Sequence, residues 1–268
     1  MTHRATDPAP SPISGERERA RRRELLRHAG VYLVTEESLS VGRRSEEIAE
    51  AALENGVRAV QVREKDGSAR RALEIALAVR RLTRQFDALL IVNDRIDIAL
   101  AADADGVHVG QSDLPIAVAR RLLGDAELIG LSITDAGQLG SPEAAAADYL
   151  GVGAVFPTGS KADATLTGLA LLEAARVATD AWAAADVRAA RIPGAGRSPA
   201  GGPAPIVAIG GFTADNAARA VLAGADVVAV INAITAAPDP GRAAAELVEA
   251  VRTARLRTAA VRPAETFR

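Results

Sequence analysis

Eight short runs of apolar and β-branched residues recur along this chain of 268 residues, and a longer amphipathic segment follows each of them. Short apolar runs are typical of strands covered on both faces, and longer segments with helical periodicity are typical of helices packed on a sheet. The strands are predicted at about 31–35, 59–64, 89–93, 106–110, 128–133, 149–156, 205–210 and 227–232. The helices are predicted near 45–55, 68–86, 95–104, 115–123, 135–147, 169–185, 214–223 and 240–255.

The number of strand and helix pairs distinguishes the two common parallel architectures. Eight pairs in about 225 residues indicate an α/β fold with a single (β/α)8 TIM barrel. A doubly wound open sheet usually has fewer strands and a G-x-G-x-x-G motif after its first strand, and this chain has no such motif there. Gly56, Gly124 and Gly224 fall at the ends of predicted helices, where a left-handed backbone is common.

The segments outside the repeat are polar or of low complexity. The arginine-rich stretch from Glu16 to His28 is predicted to be a helix whose charges face solvent rather than nucleic acid, and the residues before it are predicted to be disordered. A proline- and glycine-rich run predicts a mobile insertion before strand seven, on the barrel face away from the chemistry. The predicted divisions are an N-terminal extension that is partly disordered or helical (1–28), the TIM barrel (29–256) with its insertion (about 187–203), and a loosely held C-terminal tail (257–268).

Composition and charge exclude several classes of function. Cysteine is absent, which excludes disulfides, thiolate nucleophiles and cysteine metal sites. The chain has no apolar run of transmembrane length and no hydrophobic signal region at its start. With a formal net charge of −2 it has no overall attraction for nucleic acid or anionic membrane, so any anion site must be local. We therefore predict a cytoplasmic protein with small-molecule partners, no nucleic acid and no membrane, and we leave a homo-oligomer open.

Polar and glycine residues cluster just after the predicted strands. Catalytic groups of a parallel barrel come from the carboxyl ends of the strands and the loops beyond them, so these positions are expected to share one rim. They are Gln61, Arg63, Glu64 and Lys65 after strand two, Asn93 and Asp94 after strand three, Gln111 and Asp113 after strand four, Ser132 near the end of strand five, Thr158, Ser160 and Lys161 after strand six, Gly210 and Gly211 after strand seven, and Ile231 and Asn232 after strand eight.

The loop after strand six has the composition of an anion cradle. Thr158, Ser160 and Lys161 provide two hydroxyls and an ammonium around a flexible glycine, and such groups can close on phosphate oxygens. Only two of the 32 basic residues are lysines, Lys65 and Lys161, and both follow predicted strands. A compact ammonium differs from a planar guanidinium, so we interpret these two positions as sites where arginine does not fit.

Two carboxylates on neighbouring strands, Asp94 and Asp113, are suited to one Mg²⁺, which usually takes one or two carboxylates together with water and substrate phosphate. Arg63 and the two lysines would then hold a pyrophosphate. The Gly210–Gly211 pair precedes a helix predicted to start near Thr213 and indicates a second phosphate site.

Structural roles stay open for the same residues when each is taken singly. Asp94 and Asp113 are also suited to cap the helices that follow them, and Gln61 and Ser132 are suited to satisfy polar groups at strand ends. His108 alternates with valines, so we predict that it packs inside the barrel and does not act as a base. The occurrence of so many phosphate- and metal-suited groups on one rim favours the functional interpretation.

Five stretches in chain order carry a family pattern. They are Gln61-Val62-Arg63-Glu64-Lys65, Val92-Asn93-Asp94-Arg95, Gly106-Val107-His108-Val109-Gly110-Gln111-Ser112-Asp113-Leu114-Pro115, Tyr149 to Lys161, and Val207-Ala208-Ile209-Gly210-Gly211. Together they resemble the thiamine phosphate synthase family, barrel enzymes of thiamine biosynthesis. The resemblance spans roughly residues 30 to 250.

The resemblance implies a transferase that joins 4-amino-2-methyl-5-pyrimidinylmethyl diphosphate to 4-methyl-5-(2-phosphoethyl)thiazole, or to its carboxylated form, and releases pyrophosphate. By the family pattern, the pyrimidine diphosphate would be bound by Gln61, Arg63, Lys65, Asn93, Ser132 and Lys161. The thiazole phosphate would be held by Thr158, Ser160, Gly211, Ile231 and Asn232, with Gly210 beside them. Mg²⁺ would be bound by Asp94 and Asp113, and catalysis would depend on Arg63, Lys65, Ser132 and Lys161.

Two departures from the family pattern affect the thiazole phosphate side. Asn232 stands where the family has serine, and Ser160 stands where threonine is commoner, although both can still hydrogen-bond to phosphate. One alternative is a thiazole tautomerase of the same superfamily, which needs no diphosphate leaving group. The other is a noncatalytic sensor of phosphorylated ligands. The lysines and the carboxylate pair argue against the first alternative, and the carboxylate pair argues against the second.

Overall fold

The computed structural model describes residues 12–65, 67–159, 165–184 and 202–261. Eight parallel strands close into a barrel in sequence order, and the eighth strand pairs with the first. The predicted α/β fold, a single (β/α)8 TIM barrel, is therefore confirmed. The strands are β1 (Val31–Thr35), β2 (Ala59–Val62), β3 (Leu89–Asn93), β4 (Gly106–Val109), β5 (Leu128–Ile133), β6 (Tyr149–Val152), β7 (Ile206–Ile209) and β8 (Val227–Val230).

Helices surround the barrel, and their apolar stripes face the strands. In α3, for example, Ser68 caps the first turn by accepting a hydrogen bond from the N–H of Arg71, and Ile75 and Val79 are buried one turn apart. In the described ranges the helices are α1 (Pro12–His28), α2 (Ser45–Glu54), α3 (Ala69–Gln85), α4 (Ile96–Ala101), α5 (Ile116–Leu123), α6 (Pro142–Ala146), α7 (Ala170–Ala184), α8 (Ala217–Leu222), α9 (Asn232–Thr235) and α10 (Pro240–Val261).

Two glycines make room for large rings inside the barrel. A Cβ atom at Gly130 of β5 would lie 2.1 Å from the ring of Tyr149, and one at Gly151 of β6 would lie 2.6 Å from the ring of His108. Any larger residue at either position would expel a ring from the interior. Alternate residues of each strand point into the barrel. Because the inward positions Gly130 and Gly151 carry no side chain, the rings of Tyr149 and His108 can lie side by side there.

Helix α1 crosses the end of the barrel at which the strands begin. It starts at Pro12, so part of the stretch predicted to be disordered is helical. Leu26 packs with the inward side chains of the strands. Arg19 and Arg23 are only 1% and 3% exposed, whereas Arg21 faces solvent. The prediction of a solvated arginine face is thus wrong for most of this helix, because its arginines meet carboxylates and carbonyls at the strand starts.

One aspartate stands directly before each of β4, β6 and β8, and all three make the same set of contacts. We call these aspartates and the arginines that they bind the lower ion ring. Each Oδ2 accepts a hydrogen bond from a backbone N–H near the start of the preceding odd-numbered strand. The same oxygen faces an arginine of the helix that precedes that strand. Each Oδ1 faces an arginine of α1. The sets are Asp105 with Leu90 N, Arg80 and Arg22; Asp148 with Ile129 N, Arg120 and Arg19; and Asp226 with Ile206 N, Arg176 and Arg27.

The repeat does not extend to β2. Arg58 stands directly before that strand, and its Nη1 donates to the carbonyl oxygens of Leu53 and Val57 at 3.0 and 2.7 Å. Within the ring, burial lowers the pKa of the Arg120 guanidinium, and the adjacent Asp148 carboxylate opposes that shift. The ring therefore depends on its carboxylates to keep buried guanidinium groups charged.

At the opposite end of the barrel, β6 stops at Val152 and not at residue 156 as predicted. The ladder with β5 ends there, while the N–H groups of Val155 and Phe156 still bond to the carbonyls of Ile209 and Gly210 at 3.0 Å. At Val155 and Phe156 the chain therefore hydrogen-bonds to the end of β7, whereas the apolar run predicted continued pairing with both β5 and β7.

Other predicted helices are divided or shorter, and α4 already ends at Ala101 and not near residue 104. The predicted helix at 135–147 is divided into a 3-10 turn at Ala136–Gly140 and α6, because Ser141 caps a new helix that begins with Pro142. Helix α8 begins at Ala217, since the side chain of Asn216 binds Thr213 N and the Gly211 carbonyl in a preceding turn.

Several predictions fall on residues outside the described ranges. They concern the first residues of the chain, most of the insertion at about 187–203, and the last residues of the tail. Helix α10 runs to Val261, beyond its predicted end near residue 255. The division into extension, barrel and tail stays a prediction.

In the part of the chain that the structure describes, no helix combines the length and the apolar character needed to cross a membrane.

Candidate active site

The carboxyl ends of the strands carry the residues predicted for binding and catalysis. Gln61, Asn93 and Ser132 lie within β2, β3 and β5. Ser160 and Lys161 lie outside the described residues, so their part in an anion cradle stays a prediction. The remaining positions are Arg63 and Lys65 after β2, Asp94 after β3, Asp113 after β4, Thr158 after β6, Gly210 and Gly211 after β7, Ile231 after β8, and Asn232 at the start of α9.

Asp94 and Asp113 bring two carboxylates into contact. Asp94 has a φ of 58°, a left-handed conformation that strains any residue with a side chain, and its N–H donates to the His108 carbonyl at 2.8 Å. Burial and then the neighbouring Asp113 carboxylate raise the pKa of Asp94 to about 6. The N–H of Gly110 donates to Asp113 Oδ2 at 2.7 Å, which fixes the second carboxylate. Neither aspartate caps a helix through its side chain in this structure.

The carboxylate pair has the donor set of a small oxygen-preferring cation. Two like charges in contact repel, and a divalent cation between them removes that repulsion. Within the described ranges, no group of three or more histidine, cysteine, aspartate or glutamate side chains is placed to hold a metal ion. A site with two carboxylates therefore matches Mg²⁺, which keeps several waters, better than it matches metals that demand an all-protein cage.

The raised pKa predicts a pH-dependent cost in the absence of divalent cations. Because the folded-state pKa of Asp94 exceeds its unfolded value, the free energy of unfolding should fall as pH rises from about 4 to 6. Asp94→Asn should therefore be more stable than the wild type by about 1–2 kcal/mol at pH 7 with chelator, after allowance for solvent screening, and equal to it near pH 3.5. Urea unfolding across this range measures the difference, and a difference that is constant with pH would contradict the prediction.

Two cationic side chains after β2 take different positions. Lys65 lies close enough to Asp94 for its charge to lower the pKa of that carboxyl, against the larger effect of burial. Asn93 also hydrogen-bonds to the Asp94 side chain. The Arg63 guanidinium instead forms an ion pair with the Glu36 carboxylate, and both side chains are largely buried. Lys65 and Asn93 thus lie beside Asp94, as predicted. Arg63 is instead bound by Glu36, which follows β1.

Glu64 and Gln111 follow the same strands but do not join the carboxylate pair. Glu64 Oε1 accepts hydrogen bonds from Ser45 Oγ at 3.2 Å and Glu37 N at 3.3 Å, which ties it to the loop before α2. Gln111 Nε2 donates to the Ser132 carbonyl at 2.7 Å and so links the ends of β4 and β5. Both side chains support neighbouring loops.

The glycine turn after β7 packs against the loop after β6. Gly210 and Gly211 have φ values of 105° and 67°, which favour glycine. A Cβ at Gly211 would lie 2.4 Å from the Pro157 carbonyl oxygen, and one at Gly210 would lie 2.6 Å from Ala154 Cα. This close packing brings the turn next to Thr158, and only glycine permits it.

The end of β8 completes this half of the rim. Ile231 is partly buried, and its carbonyl accepts hydrogen bonds from the N–H groups of Ile234 and Thr235 at 3.0 Å. Asn232 is exposed at the start of α9. Strand order places these residues beside Gly211, because β7 and β8 pair in parallel register. The structure therefore groups the described thiazole phosphate positions, Thr158, Gly210, Gly211, Ile231 and Asn232, after β6 to β8, separate from the carboxylate pair after β3 and β4.

Five side chains form a hydrogen-bonded series across the barrel interior, which we call the interior chain. Gln61 Nε2 donates to Tyr32 Oη at 2.8 Å, and the hydroxyls of Tyr32 and Tyr149 are 3.3 Å apart. Tyr149 Oη lies 3.1 Å from His108 Nδ1, and His108 Nε2 lies 2.9 Å from Ser132 Oγ. Burial lowers the pKa of His108 to about 4, so the ring is neutral near pH 7. The prediction that His108 packs inside the barrel is confirmed.

Sequence reasoning missed Glu36, Tyr32 and Tyr149 as parts of the site. Glu36 directly follows β1, so the rule that selected the other positions also applies to it. The tyrosines lie inside the barrel, where apolar strands covered on both faces give no sign of which residues point inward. The signal for Tyr149 is Gly130 on β5, which leaves space for its ring.

The closed parallel barrel carries a carboxylate pair, a nearby lysine and a close-packed glycine turn on one rim. These features define a TIM-barrel enzyme of phosphorylated small molecules. A family model described as thiamine monophosphate synthase matches residues 31–234. The chain belongs to the thiamine monophosphate synthase family.

Individual relatives agree with the family model. A thiamine-phosphate synthase of Haloarcula marismortui is 47% identical over 225 residues, which cover 84% of this chain and 98% of the relative. One of Moorella thermoacetica is 43% identical over 226 residues, covering 84% and 97%. The solved structure of a thiamine phosphate pyrophosphorylase from Pyrococcus furiosus has a TM-score of 0.69 and 36% identity, covering 85% of this chain and 98% of that one. The resemblance in the sequence is confirmed, and none of these relatives supports the tautomerase or the sensor.

Proposed function

We propose that this protein joins 4-amino-2-methyl-5-pyrimidinylmethyl diphosphate to 4-methyl-5-(2-phosphoethyl)thiazole, or its carboxylated form, and releases thiamine phosphate and pyrophosphate, together with carbon dioxide when the carboxylated form reacts. The observation that carries the proposal is the contact of Asp94 with Asp113, with Lys65 beside it, in a chain of this family. Carboxylates for a metal ion next to a lysine ammonium suit a diphosphate group. A tautomerase has no diphosphate to bind and would gain nothing from this arrangement.

The residues present fit Mg²⁺, because two carboxylates in contact, one with a raised pKa, form a hard-oxygen donor set. Asp94 and Asp113 would hold the ion. When bound, Mg²⁺ would supply stabilisation of the negative charge that grows on the leaving pyrophosphate.

The cationic side chains on the rim would bind the diphosphate and oppose its developing charge. We assign Arg63, Lys65 and Lys161 to this role, with Asn93 and Gln61 positioning the pyrimidine. As the C–O bond of the methylene breaks, its electron pair goes to pyrophosphate, so these cations stabilise the transition state more than the ground state. The pyrimidine amino group can spread the positive charge left on the methylene.

The second bond needs no proton transfer by the protein. The ring nitrogen of the thiazole has a free lone pair, which forms the new N–C bond to the methylene. Since no proton leaves that nitrogen, no general base is required. The buried and neutral state of His108 is consistent with this chemistry.

The thiazole phosphate would bind on the opposite half of the rim. We assign Thr158, Ser160, Ile231 and Asn232 to it, with the backbone of the Gly210–Gly211 turn. The turn allows close approach of backbone N–H groups to phosphate oxygens, since it carries no Cβ atoms. The loop after β6 would then lie between the two substrates, with its hydroxyls towards the thiazole phosphate and Lys161 towards the pyrophosphate.

The test is to incubate the full chain with both substrates, with and without Mg²⁺, and to measure pyrophosphate and thiamine phosphate. The proposal expects both products in equal amounts and only with the metal ion. Rearrangement of the thiazole alone would favour the tautomerase, and binding without turnover would favour the sensor. Either of these results would refute the proposal. The cytoplasmic location expected from the sequence stays a prediction, and a homo-oligomer stays open.

A further inference from the structure

We propose that Tyr32, Tyr149 and His108 act as positioning residues that give the interior chain one direction and make Ser132 a hydrogen-bond donor towards the pyrimidine diphosphate. This inference rests on the proposed function for its ligand, and on the interior geometry alone for its direction. A hydroxyl can donate or accept, and a neutral imidazole has two tautomers, so the direction must come from a group with a fixed role.

The direction is set at the Gln61 end. Its Nε2 is an amide nitrogen and can only donate, so Tyr32 Oη must accept that hydrogen bond. Both groups are buried. Among the described residues, the other hydrogen-bond partner of the Tyr32 hydroxyl is Tyr149 Oη at 3.3 Å. The Tyr32 hydroxyl therefore donates to Tyr149.

The same reasoning continues along the chain. Tyr149 Oη accepts from Tyr32 and has His108 Nδ1 at 3.1 Å as the acceptor for its own hydrogen. His108 Nδ1 must then be unprotonated, and the neutral ring carries its hydrogen on Nε2. Nε2 donates to Ser132 Oγ at 2.9 Å. Ser132 has accepted a bond from inside the barrel, so its own hydrogen is available to an acceptor at the rim.

The opposite direction leaves a buried group unsatisfied. If Ser132 donated to His108, each later bond would reverse, and with the Gln61 amide oriented as in this structure the Tyr32 hydroxyl hydrogen would face Nε2, which is no acceptor; the opposite direction would require a flipped amide with Oε1 towards Tyr32. The rings also cannot swing to find other partners, because the Tyr149 ring packs over Gly130 and the His108 ring packs over Gly151. One direction therefore satisfies every buried hydroxyl, and the other does not.

The first test reads the tautomer directly and needs no substrate. The chain has three histidines, so a variant with His3→Gln and His28→Gln keeps His108 as its single histidine. Long-range ¹H–¹⁵N spectra of this variant at pH 7.5 should show a pyridine-type Nδ1 and a pyrrole-type Nε2. Tyr32→Phe removes the link through which Gln61 sets the direction, so part of the population should change to a pyrrole-type Nδ1 that donates to Tyr149. A pyrrole-type Nδ1 in the starting variant, or an unchanged pattern with Tyr32→Phe, would overturn the inference.

The second test connects the direction to the ligand. Tyr149→Phe removes one hydroxyl and keeps the ring over Gly130, and it should lower kcat/KM for the pyrimidine diphosphate about tenfold. Ser132→Ala should add little to the loss in the Tyr149→Phe background, because both changes remove the same donated bond. Fully additive losses would show that Tyr149 acts independently of Ser132 and would refute this part. If neither substrate turns over, the proposed function fails while the tautomer result still stands.

Discussion

Asp148→Ala is expected to lower the free energy of unfolding by about 3–5 kcal/mol, the usual cost of removing one partner from a buried ion pair. The side chains of Asp148, Arg120 and Arg19 are no more than 5% exposed. Loss of the carboxylate removes the negative charge that faces two buried guanidinium groups and the acceptor for the N–H of Ile129. Urea unfolding followed by circular dichroism measures the change.

Two comparisons identify the cause of that loss. Glu246→Ala breaks a solvent-exposed pair with Arg242 on α10 and should change stability by less than about 0.5 kcal/mol. The double variant Asp148→Ala with Arg120→Met removes one of the uncompensated charges and should recover part of the loss. An equal loss in the single and double variants would assign the cost to packing rather than to charge.

Asp113→Asn is expected to lower kcat/KM by about 100- to 1000-fold, since the proposed metal site loses one of its two carboxylates. The asparagine oxygen can still accept the hydrogen bond from Gly110 N, so the loop should keep its shape. The variant should also require much more Mg²⁺ for half-maximal pyrophosphate release. Steady-state assays over a range of Mg²⁺ concentrations measure both effects.

Asp97→Asn provides the matched control for this activity change. Asp97 is an exposed aspartate on α4 that pairs with Arg95 away from the carboxylate pair. Its substitution should leave both kcat/KM and the Mg²⁺ requirement unchanged. An Asp113→Asn enzyme with the wild-type Mg²⁺ requirement would exclude Asp113 as a ligand.

The sequence predicts the barrel well because its strands are short, β-branched and separated by amphipathic segments of regular length. All eight strands lie where the apolar runs are, and the first strand, at Val31–Thr35, has the predicted bounds. Boundaries fail where long-range contacts decide them. The end of β6 depends on hydrogen bonds between Phe156 and Gly210, and no local pattern encodes that meeting.

Charged residues show the same limit in another form. The arginines of α1 have the local pattern of a solvated helix, yet Arg19 and Arg22 bind aspartates more than 80 residues away in the chain. Their burial cannot be deduced without the barrel. In contrast, the candidate site follows largely from one rule, because Asp94 and Asp113 occupy the carboxyl ends of neighbouring strands.

The contacts of helix α1 also constrain the order in which the chain can assemble. Arg23 donates to the carbonyls of Gly202 and Pro203, and Arg255 donates to the carbonyl of Arg27. A ribosome releases α1 long before it makes these partners, which belong to about the last quarter of the chain. Helix α1 cannot pack on the end of the barrel before the last quarter of the chain is made. Until that point its Leu26 and its arginines stay in contact with water or with a chaperone. Sealing by the first helix is therefore a late event of biosynthesis.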